Sequence, residues 1–506
     1  MTLGQSFSVA LMGLEGQLVT VEVDIADGLP GYILLGLPDA ALTESRDRVR
    51  SALVNSSENW PNRKVTVSLS PAWMPKSGSS FDLPIAIALL SAQQLIPAQP
   101  STDVLYLGEL ALDGHIRGVR GVLPSLIAAH KAGITTAVVP WANRVEAKLM
   151  SEMTVIPMEH LHQLLHWLRT GERDEPQELD LEIHIDQPDF DFSDVAGQER
   201  ARLAAEVAAV GGHHLLLMGP PGAGKTMIAQ RMPGILPALT RAESLEVTAI
   251  HSIAGGLSTR SPLASDAPFV APHHSATRVA MVGGGSHTIR PGACSLAHHG
   301  VLFIDEAPEC DAGVLDSLRQ PLESGSITIA RAVGSVSYPA RFLLVLAANP
   351  CPCGKFSGRG RHCTCTSQQV RRYLGKLSGP LMDRIDLRVQ VDPLSRVELS
   401  RPELGETSAA IRERVISARA TAAHRFKNEL WELNSEIPSR ALRTTYQPER
   451  EAMNFLHSEL DRERITARGL HKVMRTAWSV ADLAGHIRPT LADTQLAYSL
   501  REGSLS

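Results

Sequence analysis

Eight consecutive residues, Gly219, Pro220, Pro221, Gly222, Ala223, Gly224, Lys225 and Thr226, read G-x-x-x-x-G-K-[ST]. A loop of this pattern turns successive backbone N–H groups toward one point and so cradles an anion. Its lysine is placed for the β- and γ-phosphates of a nucleoside triphosphate, and its terminal hydroxyl for Mg²⁺. The motif needs a strand before it and a helix after it. LLLM precedes the loop and a helix start follows, which disfavours a chance match.

A second stretch, VLFIDE at 301–306, ends four apolar residues in two carboxylates. Ligands of such sheets sit at the carboxyl ends of strands. Asp305 is therefore expected to complete the Mg²⁺ shell, and Glu306 to polarise an attacking water. Asn349 ends a third apolar run, LLVLAAN, where an amide can orient water against the γ-phosphate. By itself, Asn before Pro also suits a plain turn. Phosphoryl transfer further calls for positive charge on the γ-phosphate, often from a neighbouring subunit. Arg384 in SGPLMDRIDL and Arg468 in ITARGLHKVM are the candidates, against the alternative of surface pairs with Asp383 or Glu463.

The third chemical feature is NPCPCGKFSGRGRHCTC, 349–365, which holds four of the six cysteines as two C-x-C pairs. Cys351, Cys353, Cys363 and Cys365 could form one tetrahedral zinc site, with His362 as a possible substitute ligand. Free thiols in a loop are the alternative. Residues 355–376 carry six Lys and Arg and no acid. Arg359 and Arg361 are candidate phosphate-backbone contacts there, against a plain solvated basic face. This places the cysteine knob against DNA or a neighbouring subunit. Cys294 and Cys310 read as buried small residues. His273, His274, His298 and His299 read as hydrogen-bonded loop residues.

The elements that must position these groups fall into segments. The chain has 506 residues, 43% hydrophobic, with a net charge of −5, so a nucleic-acid surface would have to be local. It has no run of about 18 apolar residues that would span a membrane. Its first residues lack a basic leader, and a cytoplasmic protein without membrane attachment is expected. Residues 1–170 mix strands (VTVEVDI, ILLGL, KVTVSL, TTAVVP) with helices (LPIAIALLSAQQL, VLPSLIAAHKAG). Residues 171–192 hold nine acids against one arginine and read as a solvated linker. Between 193 and 394, apolar strands alternate with helices, which implies a mostly parallel sheet. Residues 395–506 are helical in pattern, a C-terminal lid.

Together these motifs resemble the AAA+ ATPases. The closer resemblance is to the magnesium-chelatase-like branch, and within it to the ComM (YifB) family. It is carried by FSDVAGQ, GPPGAGKT, APHHSATRVAMVGGG, PGACSLAHHGVLFIDE, LRQPLESGSITIARA, PARFLLVLAANPCPCG, LSGPLMDRIDL and TARGLHKVMRTA. The resemblance implies an α/β P-loop core with a helical lid. It assigns Asn349 to sensor 1, Arg384 to the arginine finger, Arg468 to sensor 2 and DVAGQ to the adenine side. It also implies a helix-2 insert at about 245–270 and a hairpin at GSITIARAVGSVSYP, both facing a central pore, with Arg331 near the hairpin tip as a candidate DNA contact. The N-terminal segment resembles the Lon-protease fold, an α+β domain of the ribosomal S5 domain 2 type. There Ser80 falls near the serine position, but Leu123 stands where the lysine belongs. Lys76 and Lys131 do not fit the motif, so a proteolytically inactive domain is expected.

The activity implied is that of a hexameric, DNA-dependent ATPase driving branch migration in homologous recombination and natural transformation. Its expected cofactors are ATP, Mg²⁺ and a structural Zn²⁺. Its expected partners are single-stranded or branched DNA, other copies of the chain and recombination proteins. Two competing readings share the chain. A chelatase-like remodeller of a partner protein would use the same ATPase residues, and an ATP-dependent protease would need the missing lysine.

Overall fold

The computed structural model describes all residues except 1, 77, 98–102, 173–189, 258–262, 286–288, 332–333, 357–362, 395–404 and 503–506. Most of the acidic stretch 171–192, together with Arg359, Arg361 and His362, lies outside the described residues.

Among the described residues, nine strands precede the acidic stretch: β1 (Thr2–Met12), β2 (Glu15–Ala26), β3 (Gly31–Leu35), β4 (Lys64–Ser70), β5 (Val104–Tyr106), β6 (Glu109–Leu110), β7 (Ile116–Arg117), β8 (Thr136–Pro140) and β9 (Thr154–Met158). Seven form one mixed sheet in the order β3-β4-β2-β1-β5-β8-β9, and β6 and β7 pair as a small ribbon. Along β2 the alternation is plain, with Val19, Val21, Val23 and Ile25 buried. The apolar pattern does not mark β1 as a strand, because two of its inward positions are serines. Ser6 and Ser8 are fully buried. Their hydroxyls donate to Pro84 O at 2.8 Å and Tyr106 O at 3.1 Å, which is what makes polar burial tolerable. The helices Asp82–Ala92 and Val122–Lys131, both expected from sequence, pack on this sheet.

Seven more described strands follow: β10 (Leu215–Met218), β11 (Phe269–Val270), β12 (Val301–Ile304), β13 (Ser326–Arg331), β14 (Gly334–Pro339), β15 (Leu343–Ala348) and β16 (Leu387–Gln390). Five make an all-parallel sheet in the order β11-β12-β15-β10-β16. Its central strands are buried on both faces, so they read as continuous apolar runs rather than alternations. This is the α/β architecture expected of an AAA+ core. The remaining two, β13 and β14, form the expected antiparallel hairpin, with Arg331 at its end opposite Gly334.

The lid contains the helices Ser408–Arg425, Arg450–Asp461, Ala467–Ala484 and Leu491–Glu502. Its core gathers Phe426, Tyr446 and Trp478, with the Trp478 Nε1–H donating to Tyr446 O at 2.9 Å. Among the bonds that tie the lid to the rest of the core are those of Arg414 and Ser408. Arg414 forks onto Glu206 at 2.7 and 3.0 Å, and Ser408 Oγ accepts the Phe192 N–H at 2.8 Å. The helix Arg241–Ala254 spans the start of the expected insert. Its Ala249 is buried against the N-terminal layer, and Ser252 Oγ bonds Glu146 there.

Candidate active site

Adjacency in the five-stranded sheet brings distant sequence motifs together. β15 separates β12 from β10, so the loops after all three open at one edge. Met218 pairs with Ala348, and the Gly219 N–H donates to Ala348 O at 3.1 Å, which sets the start of the phosphate loop beside Asn349.

The loop turns through Gly222 and Gly224, whose φ of +76° and +94° lie in the left-handed region. Nothing lies within 4 Å of a Cβ built on either, so the cradle has open space in front of it. Lys225 opens the helix Lys225–Ile235. Its ammonium donates to Gly219 O at 2.6 Å, Pro220 O at 2.9 Å and Asn349 Oδ1 at 3.1 Å. Burial lowers its pKa, with Asp305 and Glu306 opposing the shift. Next along the helix, the Thr226 hydroxyl donates to Asp305 Oδ2 at 2.8 Å. A hydroxyl and a carboxylate so joined are an oxygen pair suited to Mg²⁺, which takes few protein ligands and keeps the rest as water and phosphate.

Glu306 follows Asp305 just beyond β12, with φ +47°, an uncommon conformation for a non-glycine residue. Its N–H donates to Asp305 Oδ1 at 2.9 Å, and its half-exposed carboxylate lies 3.4 Å from His274 Nδ1. Sequence reading set His274 aside as an ordinary loop residue. Its signal lay only in tertiary adjacency, because β11 pairs with β12 and so sets residue 274 beside residue 306. Of the other histidines, His298 does act as a hydrogen-bonded loop residue. Its Nδ1 accepts the Arg341 N–H at 3.0 Å, and its other nitrogen meets Glu246 at 3.1 Å.

The segment DVAGQ, expected on the adenine side, is anchored as well. The Gln198 side chain donates to Ala223 O at 3.1 Å and Asp392 O at 2.6 Å. Arg231 of the loop's helix pairs with Asp194 at 2.8 Å.

The two arginines lie elsewhere. Arg384 pairs with Glu323 and donates to Pro380 O at 3.2 Å. Arg468, 79% exposed, pairs with Asp383 at 3.1 Å. Among the described residues, neither bonds to the phosphate loop of its own chain. The Asp383 surface pairing weighed for Arg468 is thus present in the structure.

The four cysteines do converge. Cys351 Sγ lies 3.3 Å from Cys353 Sγ and 3.6 Å from Cys363 Sγ, and Cys353 to Cys363 is 3.7 Å. All four sulfurs fall within 4.8 Å of one another. Zn–S bonds of about 2.3 Å in a tetrahedron require S···S of about 3.8 Å, close to this spacing. The backbone of Lys355 and Thr364 holds the Cys353 pKa down, to about 6, while at Cys363 and Cys365 the backbone's lowering is outweighed by burial and the neighbouring sulfurs, which push the pKa up. Donors aimed at sulfur favour thiolate, the form that binds metal. The residues present therefore fit one Zn²⁺. Cys294 and Cys310 are buried, as expected.

In the N-terminal layer, Leu123 is fully buried in an apolar cluster, and its N–H donates to Glu146 at 2.8 Å. Lys76 is buried with its ammonium on Leu69 O at 3.0 Å and on Pro71 O.

Comparison with known proteins now decides the family. The profile for magnesium chelatase subunit ChlI matches residues 191–399, a second ChlI profile 21–143, and the ChlI C-terminal profile 405–501. The competence protein ComM of Haemophilus influenzae is 39% identical over 506 residues, 97% of each chain. This chain belongs to the ComM (YifB) family of magnesium-chelatase-like AAA+ ATPases. YifB of Escherichia coli is 40% identical over 94% of this chain and 92% of its own, and a protein of Mycobacterium tuberculosis 50% over 99% of both. A shorter similarity, 27% over 164 residues, links the chain to Lon protease 1 of Myxococcus xanthus. Membership in the ComM family implies ATP hydrolysis, with ATP and Mg²⁺ as nucleotide and ion. No helix among the described residues is long and apolar enough to cross a membrane.

Proposed function

We propose that this protein is an ATP-driven DNA motor that works as a hexameric ring in the cytoplasm. Its task is helicase or branch-migration work during homologous recombination and natural transformation, alongside other recombination proteins. One observation carries the ATPase part: Lys225, Thr226, Asp305, Glu306 and Asn349, from three strand ends, meet at one sheet edge. Lys225 would trade its loop carbonyls for β- and γ-phosphate oxygens. Thr226 and Asp305 would hold Mg²⁺, Glu306 would take a proton from the attacking water, and Asn349 would orient that water.

Arg384 and Arg468 are bonded away from the chain's own loop, which supports their serving a neighbouring copy and hence a ring. The DNA part takes its support from the relative named for competence and from the helix Ser367–Leu374, where Arg371 and Arg372 are exposed. Arg331, Arg359 and Arg361 are further candidate contacts. The four cysteines would hold a structural Zn²⁺.

The test is ATP hydrolysis by purified protein without DNA, then with single strands, duplex and a four-way junction, beside a Glu306→Gln control. Strong stimulation by DNA, absent in the control, is expected. Flat hydrolysis with no DNA binding would favour the remodeller of a protein client, a reading that the ChlI profiles also fit.

A further inference from the structure

The cysteine turn touches the phosphate loop of its own chain. Gly354 closes the turn that begins at Cys351, its N–H donating to Cys351 O at 2.9 Å. Its φ is +72°, and a Cβ built there would stand 2.5 Å from Pro221 Cδ and 2.7 Å from Pro221 Cγ. That distance is closer than any side-chain atom tolerates, so the two turns are in full contact only because residue 354 is glycine. Cys351, fully buried, lies two residues after Asn349, whose amide oxygen holds Lys225. The cysteine unit therefore reaches the loop by two routes: directly through Gly354 on Pro221, and through Asn349 on Lys225.

We infer that the metal-held cysteine turn forms a wall of the nucleotide site, so that binding of a soft divalent ion such as Zn²⁺ and binding of a nucleoside phosphate favour each other. The inference rests on the four cysteines holding a metal. Without it, four sulfurs at this spacing repel as thiolates or drift apart as thiols. Cys351 and Gly354 then lose the constraint that fixes them against Asn349 and Pro221. Coupling of this kind is reciprocal: bound nucleotide must tighten metal binding by the same factor as bound metal tightens nucleotide binding.

The experiment uses the full chain and two readouts other than turnover. Metal content is measured by elemental analysis, and affinity by fluorescence of N-methylanthraniloyl-ADP. About one zinc per chain is expected, and chelator-stripped protein should bind the nucleotide about tenfold more weakly. Gly354→Ala keeps every sulfur, so it should retain its zinc and still bind more weakly. Adding Pro221→Ala, which removes the atoms that the new Cβ meets, should restore part of the loss. Wild-type affinity in both stripped protein and Gly354→Ala would overturn the inference, and so would a loss that Pro221→Ala does not relieve. A chain with no zinc would overturn the reading of the cluster itself, and the inference with it.

Discussion

The Lys225 ammonium donates to Asn349 Oδ1 at 3.1 Å, joining the first residue of one helix to the residue after a neighbouring strand. In this arrangement the two groups satisfy each other, as buried polar groups must. Phosphate oxygens would compete for the same ammonium and release the amide to meet water. Lys225→Ala should therefore abolish both nucleotide binding and turnover. Asn349→Ala should leave the KM for ATP little changed and lower kcat about a hundredfold, the size of effect seen when one oriented polar group is lost. Steady-state phosphate release across ATP concentrations separates the two.

Arg384 and Arg468 bond to Glu323 and Asp383 rather than to their own phosphate loop. If Arg384 serves the next subunit, Glu306→Gln and Arg384→Ala proteins should each be inactive, yet recover activity when mixed. A mixed ring contains interfaces where an intact Glu306 faces an intact Arg384. Arginine acting within its own chain gives no recovery at any ratio, so titrating one variant into the other decides the matter.

The site's chemistry was legible where it is local. The phosphate loop, VLFIDE and the strand before Asn349 announce themselves, because motif and element coincide in a few residues. What stayed hidden depends on neighbours far away in sequence. His274 gains meaning only from β11 lying against β12, and Gly354 only from Pro221 lying 133 positions earlier in the chain (354 less 221). The cysteine spacing pointed to four sulfurs able to hold one metal but not to the phosphate loop they lie against. β1 escaped the apolar pattern because Ser6 and Ser8 fill core positions, made acceptable by carbonyls from other elements.

The N-terminal layer should not hydrolyse peptides. Leu123 occupies the lysine position of the Lon resemblance and is sealed in an apolar cluster, where it offers no proton acceptor. Ser80 should not label with a fluorophosphonate probe, and casein should survive prolonged incubation with protein and ATP. Labelling lost in Ser80→Ala would show an activated serine and reverse this reading.

Asp386, two residues beyond Arg384, is the clasp between lid and sheet. Its carboxylate accepts the Lys472 ammonium at 2.7 Å and the His214 N–H at 3.1 Å, and the helix bearing Lys472 also bears Arg468. Burial pushes the Asp386 pKa up, but Lys472 first, then His213 and His214, outweigh it and hold the carboxyl well below the ordinary range. Lys472 has its own pKa held down by burial, so the site costs both charges their hydration. The carboxylate, with a second donor, is the better satisfied partner. A depressed folded-state pKa gives a contribution that is complete above the unfolded value, about 3.9. That contribution is lost as pH falls below it toward the folded value. Asp386→Asn leaves Lys472 buried without its counter-charge and should cost about 3 kcal/mol at neutral pH. The gap in thermal midpoint between variant and wild type should be wide at pH 7 and begin to shrink only below about pH 4, where the unfolded carboxyl takes up a proton that the folded one still refuses. A gap that is constant across that range would mean that the lost shape of the side chain, not its charge, is what the lid feels.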